Sequence, residues 1–233
     1  KIPEAQSHIK KCILELGGKN AIIVDQDADL DEAIQGVLYA AFAYSGQKCS
    51  ANNRIYIPES LYTEFITNIT QQLNKLNIGS PEVNNIFTSS VIHQKSFDNL
   101  KRVISENKEK IIYGGRTNDI KGYYIHPTIF KIDDLNDPFL ENENFGPLVS
   151  VCVYPDTQLE NTLKICSNTG KYNLTGSIFS NKLEQMKLAE KYLFNNVGNL
   201  YLNDKSTGSV VGQQPFGGFG KSGTNDKAGS QYF

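Results

Sequence analysis

Short apolar runs alternate with amphipathic stripes along almost the whole chain, a rhythm that few folds accommodate. "NAIIV" (Asn20 to Val24) reads as a buried strand, and after the acidic stretch "DQDAD" residues Leu30, Ile34, Val37, Leu38, Ala41 and Phe42 recur at helical spacing. "RIYIP" repeats the strand signal. Leu61, Phe65, Ile69, Leu73 and Leu76 then stripe a second helix, which Gly79 is expected to stop. A helix is expected near His93 to Glu106, followed by a strand in "KIIYGG". "YYIHPTIFKI" reads as one longer strand that Pro127, lacking an N–H, confines to an edge or a bulge. "PLVSVCVY", a helix around Leu159 to Cys166, "TGSIFS", a helix from Leu183 to Phe194 and "GNLYLN" complete the series. Strands that alternate with helices return parallel to one another, so the expected class is α/β: an open, mostly parallel twisted sheet flanked by helices.

Composition narrows the partners. At 233 residues, 39% hydrophobic, 21% charged and net charge −2, the chain can bury a sizeable core and has no basic excess to hold nucleic acid. No run of about 18 apolar residues occurs, so no membrane span is expected. The start, "KIPEAQSHIKK", has neither an apolar signal region nor an initiator Met, and the chain reads as a fragment. Cys12, Cys49, Cys152 and Cys166 form no C-x-x-C pair and have no His-bearing spacing. Neither a disulfide framework nor a metal site is expected, which suits a reducing intracellular compartment.

"QPFGGFGKSGT" imitates a phosphate cradle, because Gly218, Gly220 and Gly223 satisfy G-x-G-x-x-G and Gly220-Lys221-Ser222 resembles the end of a Walker A loop. A dinucleotide fingerprint also needs a helix after its last glycine and an acidic residue about 20 positions on. Only "TNDKAGSQYF" remains after Gly223, and Pro215 stands where Walker A needs glycine. The stretch therefore reads as a glycine-rich turn.

Two upstream stretches carry stronger chemistry. Glu15 lies in "CILEL" before Gly17-Gly18, at the expected end of an apolar strand, where burial raises a carboxyl pKa. Two readings stand there, a general base or a carboxylate that caps the next turn. Cys49 follows Gly46 in a polar loop beside Lys48, a setting for an exposed, partly ionised thiol. A nucleophile and a small buried hydrophobe both remain open for it, whereas Cys12, Cys152 and Cys166 sit in apolar runs and fit the second reading.

Taken together, "ELGGKN" and "GQKCSA" resemble the two active-site signatures of the aldehyde dehydrogenase superfamily. "ENENFGP", "YNLTGSIFS" and "QPFGGFGKSG" are similar to three further segments of that superfamily, and order and spacing agree from about Lys10 to Ala228. The stretch "NLYLNDKSTGSVVGQQPFGG" with "SGTNDKAG" resembles members that oxidise L-glutamate γ-semialdehyde to glutamate in proline catabolism. The resemblance implies Cys49 as nucleophile and Glu15 as general base, working through a thiohemiacetal and a thioester. It implies NAD as cofactor, with Glu143 on the nicotinamide-side ribose and Phe145 near the nicotinamide. Gly208, Ser209 and Ser50 are implied to hold the substrate's α-carboxylate, and Phe216 to line the aldehyde channel. Lys19 and Lys205 read as solvated turn lysines without a catalytic part.

The resemblance also implies an arrangement of the whole protein. Residues 1–16 are expected to form the last strand of a coenzyme-binding domain lying otherwise outside this chain, 17–217 the catalytic domain, and 218–233 a tail returning towards the coenzyme domain. A homo-oligomer is implied, in the mitochondrial matrix of a eukaryote or the cytoplasm of a bacterium. Asn142 and Asn144 around Glu143, and Asn52 and Asn53 after the nucleophile loop, depart from the superfamily pattern. The alternatives are another aldehyde dehydrogenase of unknown substrate, or a domain that binds or assembles without turnover.

Overall fold

The computed structural model describes residues 12–230, so most of the expected first strand, residues 1–11, lies outside the described residues. Eleven strands and five helices follow in order: β1 Asn20–Val24, α1 Leu30–Phe42, β2 Asn52–Pro58, α2 Glu59–Lys75, α3 Gln94–Glu106, β3 Ile111–Tyr113, β4 Thr117–Asn118, β5 Tyr124–Ile125, β6 Thr128–Ile132, β7 Leu148–Tyr154, α4 Leu159–Asn168, β8 Tyr172–Asn173, β9 Thr175–Phe179, α5 Leu183–Leu193, β10 Asn199–Leu202 and β11 Phe219–Gly220. Seven of the strands form one twisted sheet in the order β10-β9-β1-β2-β7-β6-β3. Every neighbouring pair is parallel except the edge pair β3 and β6.

Period-two alternation divides the buried residues between two faces. Ile22, Val24, Ile55, Ile57, Val149 and Val151 pack under α1 and α2. Ala21, Ile23, Tyr56, Cys152 and Tyr154 face α3, α4 and α5. All five residues of β1 are buried, because this strand is central and covered on both sides.

Local chemistry sets the element ends. Asp29 caps α1 by accepting the Glu32 N–H at 3.0 Å, and Asp31 and Glu32 place negative charge on its first turn. His93 caps α3, its Nδ1 accepting from the Ser96 N–H at 3.0 Å. Two expectations need correction. Helix α2 ends at Lys75, before Gly79, because Leu76 turns extended and its N–H closes on the Leu73 carbonyl. The stretch "YYIHPTIFKI" is two strands: β5 pairs with β4 in a small separate sheet, β6 joins the main sheet, and Pro127 stands at the break with no N–H to carry a ladder across.

The glycine-rich stretch near the end is a set of turns. Phe219 and Gly220 pair antiparallel with β8, the Lys221 N–H donates to the Lys171 carbonyl at 2.8 Å, and the Ser222 N–H donates to the Phe219 carbonyl at 2.9 Å. These donors are spent on the protein itself, so the segment offers no phosphate cradle.

Candidate active site

The loops that precede β1, β2 and β7 converge at the amino ends of these adjacent strands. This is the end of the sheet opposite to the one where open α/β folds commonly bind ligands. Residues 12–16 approach along the surface without a ladder of their own. Glu15 makes a single antiparallel bridge to Gly223, and Leu14 and Leu16 are 43% and 48% exposed. The expected apolar strand around Glu15 is therefore corrected to one bridge, since no neighbouring strand covers it among the described residues.

The close approach of the three loops depends on Gly17 and Gly18. A Cβ at Gly17 would collide with the Glu143 carboxylate, and one at Gly18 with the Cys49 carbonyl. The Gly18 N–H donates to Glu143 Oε1 at 2.8 Å. Upstream of Cys49, Tyr44, Ser45 and Gly46 are all left-handed, a costly backbone path at two non-glycine residues. Ser45 is held there by its buried N–H donating to Thr88 Oγ1 at 2.7 Å and its hydroxyl donating to the Ser89 carbonyl.

Cys49 opens into a cavity of about 710 Å³ whose lining includes Lys48, Ser50, Thr207, Gly208, Ser209 and Phe216. The structure thus gathers the nucleophile candidate and all four candidate substrate contacts around one space. Ser50 Oγ lies 2.6 Å from Thr207 Oγ1, and Ser209 Oγ lies 2.8 Å from the Tyr201 hydroxyl, so both serines are oriented from outside their own segments. The loop after β10 returns along the sheet edge, tied where Asn199 Nδ2 donates to the Pro215 carbonyl. Glu15 does not line the cavity; its Oε1 lies 3.3 Å from the position of a Cβ on Gly217, the residue after the lining Phe216. Phe145, 42% exposed and left-handed, is not among the lining residues.

Electrostatics alters two expectations. Burial pushes the Cys49 thiol pKa up; the Ser50 N–H pulls the other way, and the charges of Glu15 and Glu143 push it further up. Burial and the charge of Lys205 lower the pKa of the neighbouring Lys48. The expected lowering of the thiol pKa by its polar, basic loop is accordingly corrected: the net direction in this structure is upward. Lys19, expected to be solvated, is 1% exposed, its Nζ has no hydrogen-bond partner, and it sits 4.9 Å from the centre of the Phe139 ring. Its neighbour in expectation, Lys205, does lie partly in solvent, 3.4 Å from Asp204. Burial raises the Glu15 carboxyl pKa against the pull of Lys227, and raises that of Glu143 against the Gly18 N–H and Lys19.

Sequence reasoning missed Tyr201, Thr207 and Asn20. Tyr201 carries no motif signal, because its partner is found only once β10 and the loop after it are folded together. Thr207 and Asn20 lie inside the signature stretches, but neither side chain is a nucleophile or an acid, so the residue type gives no signal of its part. Among the described residues no group of three metal-ligating side chains occurs, and no helix is long and apolar enough to cross a membrane. All four cysteines are free thiols.

The profile of the aldehyde dehydrogenase family matches residues 1–233. The chain is 42% identical over 231 residues to a 1-pyrroline-5-carboxylate dehydrogenase of Oceanobacillus iheyensis, covering 98% of this chain and 44% of that protein. It is 42% identical over 224 residues to the human mitochondrial Delta-1-pyrroline-5-carboxylate dehydrogenase, covering 94% of this chain and 40% of that one. A solved 1-pyrroline-5-carboxylate dehydrogenase from Thermus with bound NAD superposes with a TM-score of 0.90 at 35% identity, over 99% of this chain and 44% of its own. The chain thus spans less than half the length of these relatives.

Proposed function

This chain belongs to the aldehyde dehydrogenase family, and we propose that the native protein oxidises L-glutamate γ-semialdehyde to glutamate with NAD as the oxidant. The observation that carries the reading is the single cavity that joins Cys49 to Ser50, Gly208, Ser209 and Phe216. Two hydroxyls and a backbone N–H suit a carboxylate, and an aromatic ring suits the aliphatic carbons between it and the aldehyde.

The residues near Cys49 also fit the reactive end of NAD. Glu143 presents a half-buried carboxylate, able to accept from ribose hydroxyls, in a cradle that a Cβ at Gly17 would fill. Phe145 offers an exposed ring to the nicotinamide. When bound, the cofactor supplies a hydride acceptor. Cys49 gives up its proton to solvent water and adds as the thiolate to the aldehyde carbon, giving a thiohemiacetal whose oxyanion needs donors close to the sulfur. After oxidation to the thioester, Glu15, with its raised pKa, takes a proton from water as that water attacks the acyl carbon, releasing glutamate and restoring the thiol.

We assign residues 17–217 to the catalytic domain, with 12–16 and 218–230 as segments that lie against each other through the Glu15–Gly223 bridge. Preservation of the Cys49 thiol calls for a reducing compartment, the mitochondrial matrix or bacterial cytoplasm. A homo-oligomer is part of the same reading and is checked by sedimentation.

The native protein is expected to turn over the semialdehyde, and Cys49→Ala to abolish turnover while Cys152→Ala retains it. A hydrogen bond to a charged group contributes about 1.5–3 kcal/mol. Ser209→Ala is therefore expected to lower kcat/KM for the semialdehyde by roughly 10- to 150-fold. Propanal, which has no carboxylate, is expected to change by less than about threefold. Equal losses for both aldehydes would withdraw the substrate assignment, and retained turnover in Cys49→Ala would withdraw the nucleophile.

A further inference from the structure

Asn20 is 2% exposed at the first position of β1, and its side chain spends both of its N–H donors and its oxygen on backbone groups. Nδ2 donates to the Cys49 carbonyl at 2.8 Å and to the Ala51 carbonyl at 2.8 Å, while Oδ1 accepts the Thr175 N–H at 2.9 Å. One amide thereby joins β1, the nucleophile loop and β9 at the point where the β1–β2 register is interrupted. The Cys49 carbonyl and the Ser50 N–H belong to the same planar trans peptide and point in opposite directions. Fixing the carbonyl in the Asn20 amide therefore fixes the direction of the Ser50 N–H, a dipole that favours the Cys49 thiolate. Gly18 keeps this carbonyl accessible, since any side chain there would occupy its place.

We propose that Asn20 is a positioning residue for the nucleophile: its amide clamps the Cys49 and Ala51 carbonyls so that the Ser50 N–H stays aimed at the Cys49 sulfur, the donor a thiolate needs there. The proposal rests on Cys49 being the reactive thiol. Other charges that bear on the thiol are Glu15 and Glu143, which oppose ionisation, and Lys48 beside it. The Asn20 side chain hydrogen-bonds to backbone groups and to none of these charges, so its effect is separable from theirs. Aspartate, isosteric with asparagine, has no N–H for either carbonyl, whereas serine keeps one donor.

The test is the pH dependence of Cys49 alkylation by iodoacetamide in the native protein, read by peptide mass spectrometry. Cys152 and Cys166, which are buried, report whether the fold is kept. Asn20→Ala is expected to move the alkylation midpoint up by about one pH unit and to slow alkylation at pH 7 by about tenfold. Asn20→Asp is expected to show at least as large an effect, and Asn20→Ser to recover part of it. An unchanged midpoint in a folded Asn20→Ala protein overturns the proposal. Exposure of Cys152 and Cys166 in both the alanine and the serine variants also overturns it, by making Asn20 a support of the whole sheet. The thiol's own titration is the readout, so a native protein that oxidises no aldehyde would defeat the proposed function and leave this test standing.

Discussion

Lys19 is a fully buried lysine whose ammonium finds no acceptor, and its stem crosses from the Gly17-Gly18 turn into the core beside Arg54. Burial first, then the Arg54 guanidinium, lowers its pKa from 10.5 to about 7, with Glu143 pulling the other way. Below pH 7 both folded and unfolded chains hold the proton and the full penalty of burial applies. Between about 7 and 10.5 the unfolded chain binds more protons than the folded one, so this group makes stability rise with pH. Lys19→Met is expected to stabilise the protein at pH 6.5 by on the order of 3 kcal/mol, since each pKa unit is worth about 1.4 kcal/mol. It is also expected to flatten the change in urea midpoint between pH 7 and 9 relative to wild type. A parallel pH dependence in both proteins would show that Lys19 stays charged inside. The sequence could not reveal this burial. A lysine after two glycines reads as a turn residue, and Phe139 and Arg54, which enclose it, come from segments far away in the chain. Cys49 and Glu15 were legible because their neighbours along the chain carry the signature, yet the net effect on the thiol was not, because it depends on Glu143 and on burial.

Elements were legible where the hydrophobic period is long and unambiguous. β1, α1, α3, β7 and β9 stand where periodicity placed them, since both the stripe and its boundary chemistry are local. The misplaced boundaries have local causes of a weaker kind: Leu76 turns extended without a glycine, and Pro127 divides a strand whose apolar residues alone would run on. Helix α1 shows how separable element stability is from site chemistry. Its capping residue, Asp29, follows the carboxyl end of β1, whereas Cys49 precedes the amino end of the parallel β2, so the length of a strand lies between them. Asp29→Ala is expected to lower stability by about 1 kcal/mol through the lost cap. Cys49 alkylation at pH 8 is expected to keep its wild-type rate. A rate change of the size expected for Asn20→Ala would mean that α1 transmits its end geometry through Tyr44 to Gly46 into the nucleophile loop.

At the scale of the molecule, the decisive fact is the strand order, which no pattern along the chain reports. Because β1, β2 and β7 are neighbours, the loops holding Glu15, Cys49 and Glu143 meet although they lie far apart in sequence. The edge strand β10 then delivers Gly208, Ser209 and Phe216 to the same cavity from a fourth direction. In the proposed function these contacts serve an aldehyde and the nicotinamide ribose. Among the described residues the one stretch with a phosphate-loop pattern has its N–H groups committed to Lys171 and Phe219, so it offers nothing to a pyrophosphate. Hydride transfer requires the cofactor to be held in contact with the thiohemiacetal, and in the proposed function the described residues hold only its nicotinamide end. The 233-residue chain on its own is therefore expected to let iodoacetamide label Cys49 while forming no NADH from NAD and glutamate semialdehyde. A Cys49→Ala chain supplies the baseline, and absorbance at the NADH band supplies the reading. NADH formation above that baseline would show that Glu143 and Phe145 suffice to dock the dinucleotide. It would place the pyrophosphate against this chain after all, with the Gly17-Gly18 turn as the surface to mutate next.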